Sequence, residues 1–187
     1  MKVSVIVTTK NEEKNIENCL HSVKKQSYPQ DDIEIIVVDN NSSDKTKKLA
    51  KKYTKNVFNK GPERSAQRNF GVSKSKGDYI LYLDADMILH ASVIKSAAAL
   101  CAKQPNLVGL YISEIVLGDS FFSKIRRFER SFYDATVIDC VRFVKRSIFK
   151  KVGGFDTKMS GPEDWDLDKK IRANGQTLLL KTPIYHN

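Results

Sequence analysis

Cysteine is scarce in this chain, and its spacing excludes a disulfide framework. Cys19, Cys101 and Cys140 are odd in number, far apart, and never in a Cys-x-x-Cys arrangement. They read as reduced, buried small residues in a cytoplasmic protein. Long apolar runs are missing too: no stretch approaches the ~20 residues that a membrane-spanning helix needs. The start, Met1-Lys2-Val3-Ser4-Val5, enters a strand directly and lacks the pattern of a signal peptide. No Gly-x-Gly-x-x-Gly turn follows the first strand, and there is no lysine-bearing phosphate loop. Both absences disfavour a dinucleotide oxidoreductase and a phosphate-loop ATPase. Internal repeats, low-complexity tracts and flexible linkers are lacking as well, so one domain over residues 1–187 is expected.

The material that is present suits one sizeable core. Of 187 residues, 41% are hydrophobic and 29% charged, a globular signature. The net charge of +10 arises from 32 basic against 22 acidic residues and is unevenly spread. Lys45, Lys47, Lys48, Lys51, Lys52 and Lys55 crowd one segment; Lys124, Arg126, Arg127 and Arg130 crowd another. Such patches attract polyanions, whether nucleic acid, an acidic membrane or a phosphorylated substrate. Neither cluster has the aromatic interleaving of a nucleic-acid platform, so no nucleic-acid partner is expected. The first reads as a solvated helix face. In the second, residues 121, 125, 128 and 132 recur at helical spacing and read as an inward core face, with peripheral contact to anionic lipid as the lesser reading.

Hydrophobic patterning alternates strand and helix. Strands are expected at 3–7, 33–38, near 57–58, at 79–83 and at 107–112; helices at 12–25, 44–53, 63–75 and 91–103. Strands separated by helix-length segments predict an α/β fold with a mainly parallel central sheet flanked by helices. Such a sheet binds ligands at the carboxyl ends of its strands. In order, those ends read Thr8-Thr9-Lys10-Asn11-Glu12, Asp39-Asn40-Asn41-Ser42 and Asp84-Ala85-Asp86. All are polar and converge on one edge.

Two acidic pairs carry the chemistry. Asp84 and Asp86 follow a buried strand, where alternation turns both carboxylates one way and Ala85 the other. Carboxylates that close repel, and a hard divalent cation between them relieves the cost. The second pair, Glu163-Asp164, opens a helix behind Gly161-Pro162. Acidic residues there also complement the helix dipole. Helical geometry separates them: Asp164 lies within about 20° of Ile171 on the inward stripe, whereas Asp166 turns away and reads as capping or surface.

These segments, together with Gln67-Arg68-Asn69-Phe70-Gly71 and Gly153-Gly154-Phe155-Asp156, occur in an order that resembles the family 2 glycosyltransferases over nearly the whole chain. The resemblance implies a GT-A fold, with a nucleotide-binding half over about 1–112 and an acceptor-side half over about 113–187. It implies an inverting transfer of sugar from a nucleoside diphosphate donor, commonly UDP-linked, to a hydroxyl on a glycan or lipid-linked glycan. Relatives often continue with further acceptor-side or membrane-associated segments, so 1–187 is either a minimal catalytic core or a piece of a longer chain.

Roles follow residue by residue from that resemblance. Thr8, Lys10, Glu12 and Asp39 match the donor-binding strand ends, with a turn cap as the lesser reading for Asp39. Arg68 matches an arginine that approaches the nucleotide, or is a surface arginine on its helix. Asp84 matches a ribose or water-mediated metal contact, and Asp86 a direct ligand to Mn2+ or Mg2+. His186 matches a third metal ligand, or is structural after a short strand. Asp164 matches the catalytic base that deprotonates the acceptor. Glu163 orients the acceptor, and Trp165 is a sugar platform or a core residue. A cytoplasmic location, at most peripheral at the inner membrane face, is expected.

Three other readings remain. A synthase of polyprenyl-phosphate sugars needs no base, because its acceptor is already anionic, so Glu163-Asp164 leans away from it. A nucleotidyltransferase shares the sheet and the carboxylates but needs a basic glycine-rich loop that is not found. A basic nucleic-acid-binding domain leaves both acidic pairs unexplained.

Overall fold

The computed structural model describes residues 1–118, 124, 125, 128, 140–159 and 161–186. Its elements in chain order are β1 (Val3–Thr9), α1 (Ile16–Lys24), a 3-10 turn (Gln30–Asp32), β2 (Ile33–Asp39), α2 (Thr46–Ala50), β3 (Val57–Asn59), α3 (Arg64–Lys74) and β4 (Tyr79–Asp84). There follow β5 (Met87–Leu89), α4 (Val93–Lys103), β6 (Leu107–Val116), β7 (Phe143–Lys145), α5 (Arg146–Lys151), α6 (Glu163–Arg172) and β8 (Gln176–His186).

The central strands are rich in β-branched residues and apolar on both faces, the pattern of strands covered on both sides. Alternation sorts them into two packing layers. Val3, Val5, Val7, Ile35, Val37, Leu81 and Leu83 point to one face, where α1 and α4 bring Ile16, Leu20, Val23, Ile94 and Ala97. Ile6, Ile36, Val38, Ile80 and Tyr82 point to the other, met by Val72 of α3, Phe149 of α5, and Leu167 and Ile171 of α6. Each such side chain contributes roughly 1.5–3 kcal/mol on leaving water, which is what closes the three layers.

The sheet runs β3-β2-β1-β4-β7-β6-β8-β5. The first four strands are mutually parallel, as the strand–helix alternation predicts. Beyond β4 the pattern changes: β7 is antiparallel to both β4 and β6, β8 is parallel to β6, and β5 is antiparallel to β8. Among the described residues four of the seven pairings are therefore parallel.

Several boundaries differ from the sequence reading. The first helix begins at Ile16, because the amides of Asn15 and Ile16 both donate to the Glu12 carbonyl in a turn before it. The lysine-rich helix contracts to Thr46–Ala50, and Lys45, Lys48, Lys51, Lys52 and Lys55 are exposed, a solvated face. β5 and β7, three residues each, are too short to show a period. The strand before His186 is not short but spans eleven residues. The aromatic and arginine stretch over 121–133 lies outside the described residues except Lys124, Ile125 and Phe128. Ile125 and Phe128 are 46% and 69% exposed, which overturns the inward reading at these two positions. All three cysteines are free and buried. Among the described residues no helix is long and apolar enough to cross a membrane.

Candidate active site

Strand register assembles the site. In the parallel ladder Thr8 of β1 lies opposite Asp84 of β4, and Thr9 opposite Asp39 of β2. Side chains paired in this way share a face, and Thr8 Oγ1 accordingly donates to Asp84 Oδ1 at 3.0 Å. The strand ends floor an open cleft of about 410 Å³ lined by Thr8, Thr9, Lys10, Glu12, Asn40, Arg64, Gln67, Asp84, Asp86 and His186, among others. The buried Gln67 amide laces the floor together, donating to the carbonyls of Val38 at 2.7 Å and Thr9 at 3.2 Å.

The two carboxylates of the Asp84-Ala85-Asp86 turn have separate partners. Asp84 accepts from Arg68 Nη2 at 3.1 and 3.3 Å, and Arg64 Nη1 stands 3.7 Å away. Burial pushes the Asp84 carboxyl up, but Arg68, Arg142, Arg64 and the Thr8 hydroxyl outweigh it and hold the carboxyl down at about 2. The repulsion that the sequence reading relieved with a cation is met at Asp84 by arginines. Asp86 turns instead to His186, whose Nε2 lies 3.0 Å from its Oδ2. Short β5 causes this, since Met87 pairs with His186 across the β5–β8 ladder.

Asp86 Oδ1 is buried and has no hydrogen-bond partner among the described residues. A buried carboxylate oxygen without a donor is costly, and beside an imidazole nitrogen it suits a divalent cation that takes oxygen and nitrogen ligands. Among the described residues no cluster of three or more His, Cys, Asp or Glu side chains stands ready to enclose a metal. A cation here would share its shell with water or ligand oxygens, as Mg2+ commonly does.

Asp164, in the first turn of α6, is half-buried and accepts from Arg68 Nη1 at 3.1 Å. Arg68 itself is 3% exposed, so it is neither a surface arginine nor a wall of the cleft. Asp39 is fully buried and outside the cleft lining; its two oxygens accept from the Ser42 amide and hydroxyl, the turn-capping arrangement that was the lesser expectation. Lys10 is exposed at the rim, while Glu12 accepts from the Asn15 amide group at 2.8 Å. Glu163 accepts from the Gly161 amide. Trp165 is 52% exposed and so is not a core residue; it edges a separate hollow with Lys169 and Arg172. Asp166 pairs with Lys170 one helical turn on, in keeping with the surface reading.

Sequence reasoning missed several residues that the fold brings in. Arg64 stands one helical turn before Arg68, and that i,i+4 spacing was a visible signal. Half-buried Arg142, ion-paired with Glu114, adds positive potential at Asp84, and nothing in its local sequence marked it. Asp168, wholly buried and bonded by the Tyr111 hydroxyl at 2.6 Å, is held up by burial.

The family model for glycosyl transferase family 2 matches residues 4–153. Poly(ribitol-phosphate) beta-N-acetylglucosaminyltransferase TarS of Staphylococcus aureus is 35% identical over 108 residues, covering 53% of this chain and 18% of its own length. Glycosyltransferase AglE of Haloferax volcanii is 37% identical over 95 residues, covering 47% of this chain and 31% of its own. Probable glycosyltransferase YdaM of Bacillus subtilis is 29% identical over 196 residues, covering 91% and 46%. The chain thus spans less than half the length of each of these three relatives. Among solved structures, S. aureus TarS 1–349 superposes with a TM-score of 0.80 at 24% identity, over 100% of this chain and 60% of that one. A mannosyltransferase from Pyrobaculum calidifontis, solved with GDP-Man and Mn2+, superposes with a TM-score of 0.76 at 24% identity, over 99% and 56%. The fold is therefore the GT-A arrangement that these structures share. With the family model spanning most of the sequence, from β1 to beyond α5, the chain belongs to glycosyl transferase family 2.

Proposed function

We propose that this chain moves a sugar from a UDP-linked donor to a hydroxyl of a glycan or lipid-linked glycan, with inversion at the anomeric carbon. The observation that carries the reading is a pair of side-chain links meeting at the Asp84-Ala85-Asp86 turn: Asp86 with His186, and Asp84 joined through Arg68 to Asp164. They run from a cleft at the strand ends to a carboxylate at the mouth of a helix. TarS 1–349 has been solved with UDP and with UDP-GlcNAc, which supports a UDP-linked donor for this cleft. The P. calidifontis enzyme, solved with Mn2+, supports a divalent cation.

In this reading the nucleotide half, about 1–112, holds the donor against Thr8, Thr9 and Lys10. Asp86 and His186 would hold the cation. When bound, the cation supplies charge neutralisation for the departing diphosphate. Asp164 accepts the proton of the acceptor hydroxyl as that oxygen attacks the anomeric carbon from the side opposite the leaving group. Glu163 holds the loop that presents Asp164, and Trp165 offers a ring face to the acceptor side.

Calorimetric titration with UDP, with and without Mn2+, on the parent and on Asp86→Ala tests the donor site. Binding that needs Mn2+ and is lost in the variant is the expected result. A folded parent that binds neither UDP nor other nucleotides overturns the assignment.

A further inference from the structure

Arg68 occupies an unusual place for a charged side chain. It is 3% exposed on α3 and divides its terminal nitrogens between carboxylates far apart in the chain. Nη2 donates to Asp84 and Nη1 to Asp164, each with a closest approach of 3.1 Å. The rings of Tyr82 and Phe155 lie 5.1 and 5.2 Å from its guanidinium carbon. Its Nε finds no partner among the described residues. A buried ionic group with a donor left over is a poor source of stability, because an apolar side chain of similar volume often serves as well. What the apolar side chain cannot do is hold two carboxylates at a set separation. The planar fork of arginine does this, whereas the point charge of lysine does not.

We propose that Arg68 is a positioning residue for the transfer reaction: anchored on the donor-side carboxylate Asp84, it orients Asp164 and acts through that group without touching the donor. The proposal rests on the reading of Asp164 as the base given above. The two ends of the bridge are anchored differently. Asp84 closes a central strand and is locked in register with Thr8. Asp164 opens a helix that follows Gly161, at φ +111, and Pro162. Arg68 thus ties to the sheet the group that, on that reading, meets the acceptor hydroxyl. A misplacement of about 1 Å at such a point costs about 10²-fold in rate.

The test is a mutant cycle. Arg68→Lys and Arg68→Met are made in the parent and in Asp164→Asn. Each protein is measured for thermal unfolding, for UDP affinity with Mn2+, and for UDP release from UDP-N-acetylglucosamine with water as acceptor. In the parent background Arg68→Lys is expected to lower kcat roughly 10–100-fold with KM changed less than about threefold. In Asp164→Asn the same substitution is expected to cost less than about twofold, because the group it orients is gone. Equal losses in both backgrounds, or a raised KM with kcat unchanged, overturn the proposal; the latter makes Arg68 a donor contact. If Arg68→Met fails to fold, Arg68→Lys carries the cycle. If Asp164→Asn is too slow to read, the kcat-against-KM split decides alone. A parent that neither binds UDP nor releases it removes the donor reading and this inference together, whereas an active parent with additive losses removes only the inference.

Discussion

His186 Nε2 lies 3.0 Å from Asp86 Oδ2 although the two residues are 100 positions apart. The contact is made by β5, three residues long, which pairs antiparallel with the last strand and sets Met87 opposite His186. Two potential ligands, both half-buried, thereby face one cleft.

On the proposed reading, removing either member weakens metal-assisted nucleotide binding. Asp86→Ala is expected to abolish the gain in UDP affinity that Mn2+ provides, and His186→Ala to reduce it roughly tenfold, about 1.4 kcal/mol. Titration of each variant with UDP, with and without Mn2+, checks this. Unchanged metal dependence in both would place the cation elsewhere.

Loss of the proposed base should separate binding from turnover. Asp164→Asn is expected to bind UDP as the parent does while kcat falls about 10²–10⁴-fold. Calorimetry beside steady-state UDP release reads both quantities, and an intact kcat would remove Asp164 from the chemistry.

Acid should strip a defined contribution from stability. Its arginine neighbours hold the Asp84 carboxyl down at about 2, below its ordinary 3.8, so its stabilisation is present above pH 3.8 and is lost as pH falls toward 2. The shift corresponds to about 2 kcal/mol. Denaturant unfolding of the parent and Asp84→Asn should therefore show a stability gap near neutrality that narrows between about pH 4 and pH 2. A gap independent of pH would refute the assignment.

Close packing of α3 on β1 should make Gly71 intolerant of a side chain. A Cβ at Gly71 would stand 2.4 Å from Ile6 Cγ2 and 3.3 Å from Val38 Cγ2. Gly71→Ala is expected to destabilise by about 1–3 kcal/mol, read as a lower unfolding midpoint. An equal or higher midpoint would mean that the helix can shift outward at no cost.

Much of the framework was legible because its signals are local. The β-branched runs at β1, β2 and β4, the helix periods between them and the polar strand ends all sit within short windows, and alternation assigns their faces. The inward turn of Asp164 follows from helical spacing alone. Legibility stopped where short elements or distant partners decide. β5 and β7 carry no period, yet one delivers His186 to Asp86 and the other joins the parallel and antiparallel parts of the sheet. The surface reading of Arg68 failed because a sequence does not report burial or a partner 96 positions away.

By itself the sequence determined the α/β class, the family and the polar strand ends that line the cleft, since each depends on residue type and spacing along a few turns of chain. Tertiary structure alone decided which carboxylate faces arginine and which faces histidine, that Asp39 spends its oxygens on Ser42, that Trp165 stands at the surface, and that Arg68 spans Asp84 and Asp164. Those outcomes depend on which distant segments are packed side by side, and packing is settled by the whole core at once.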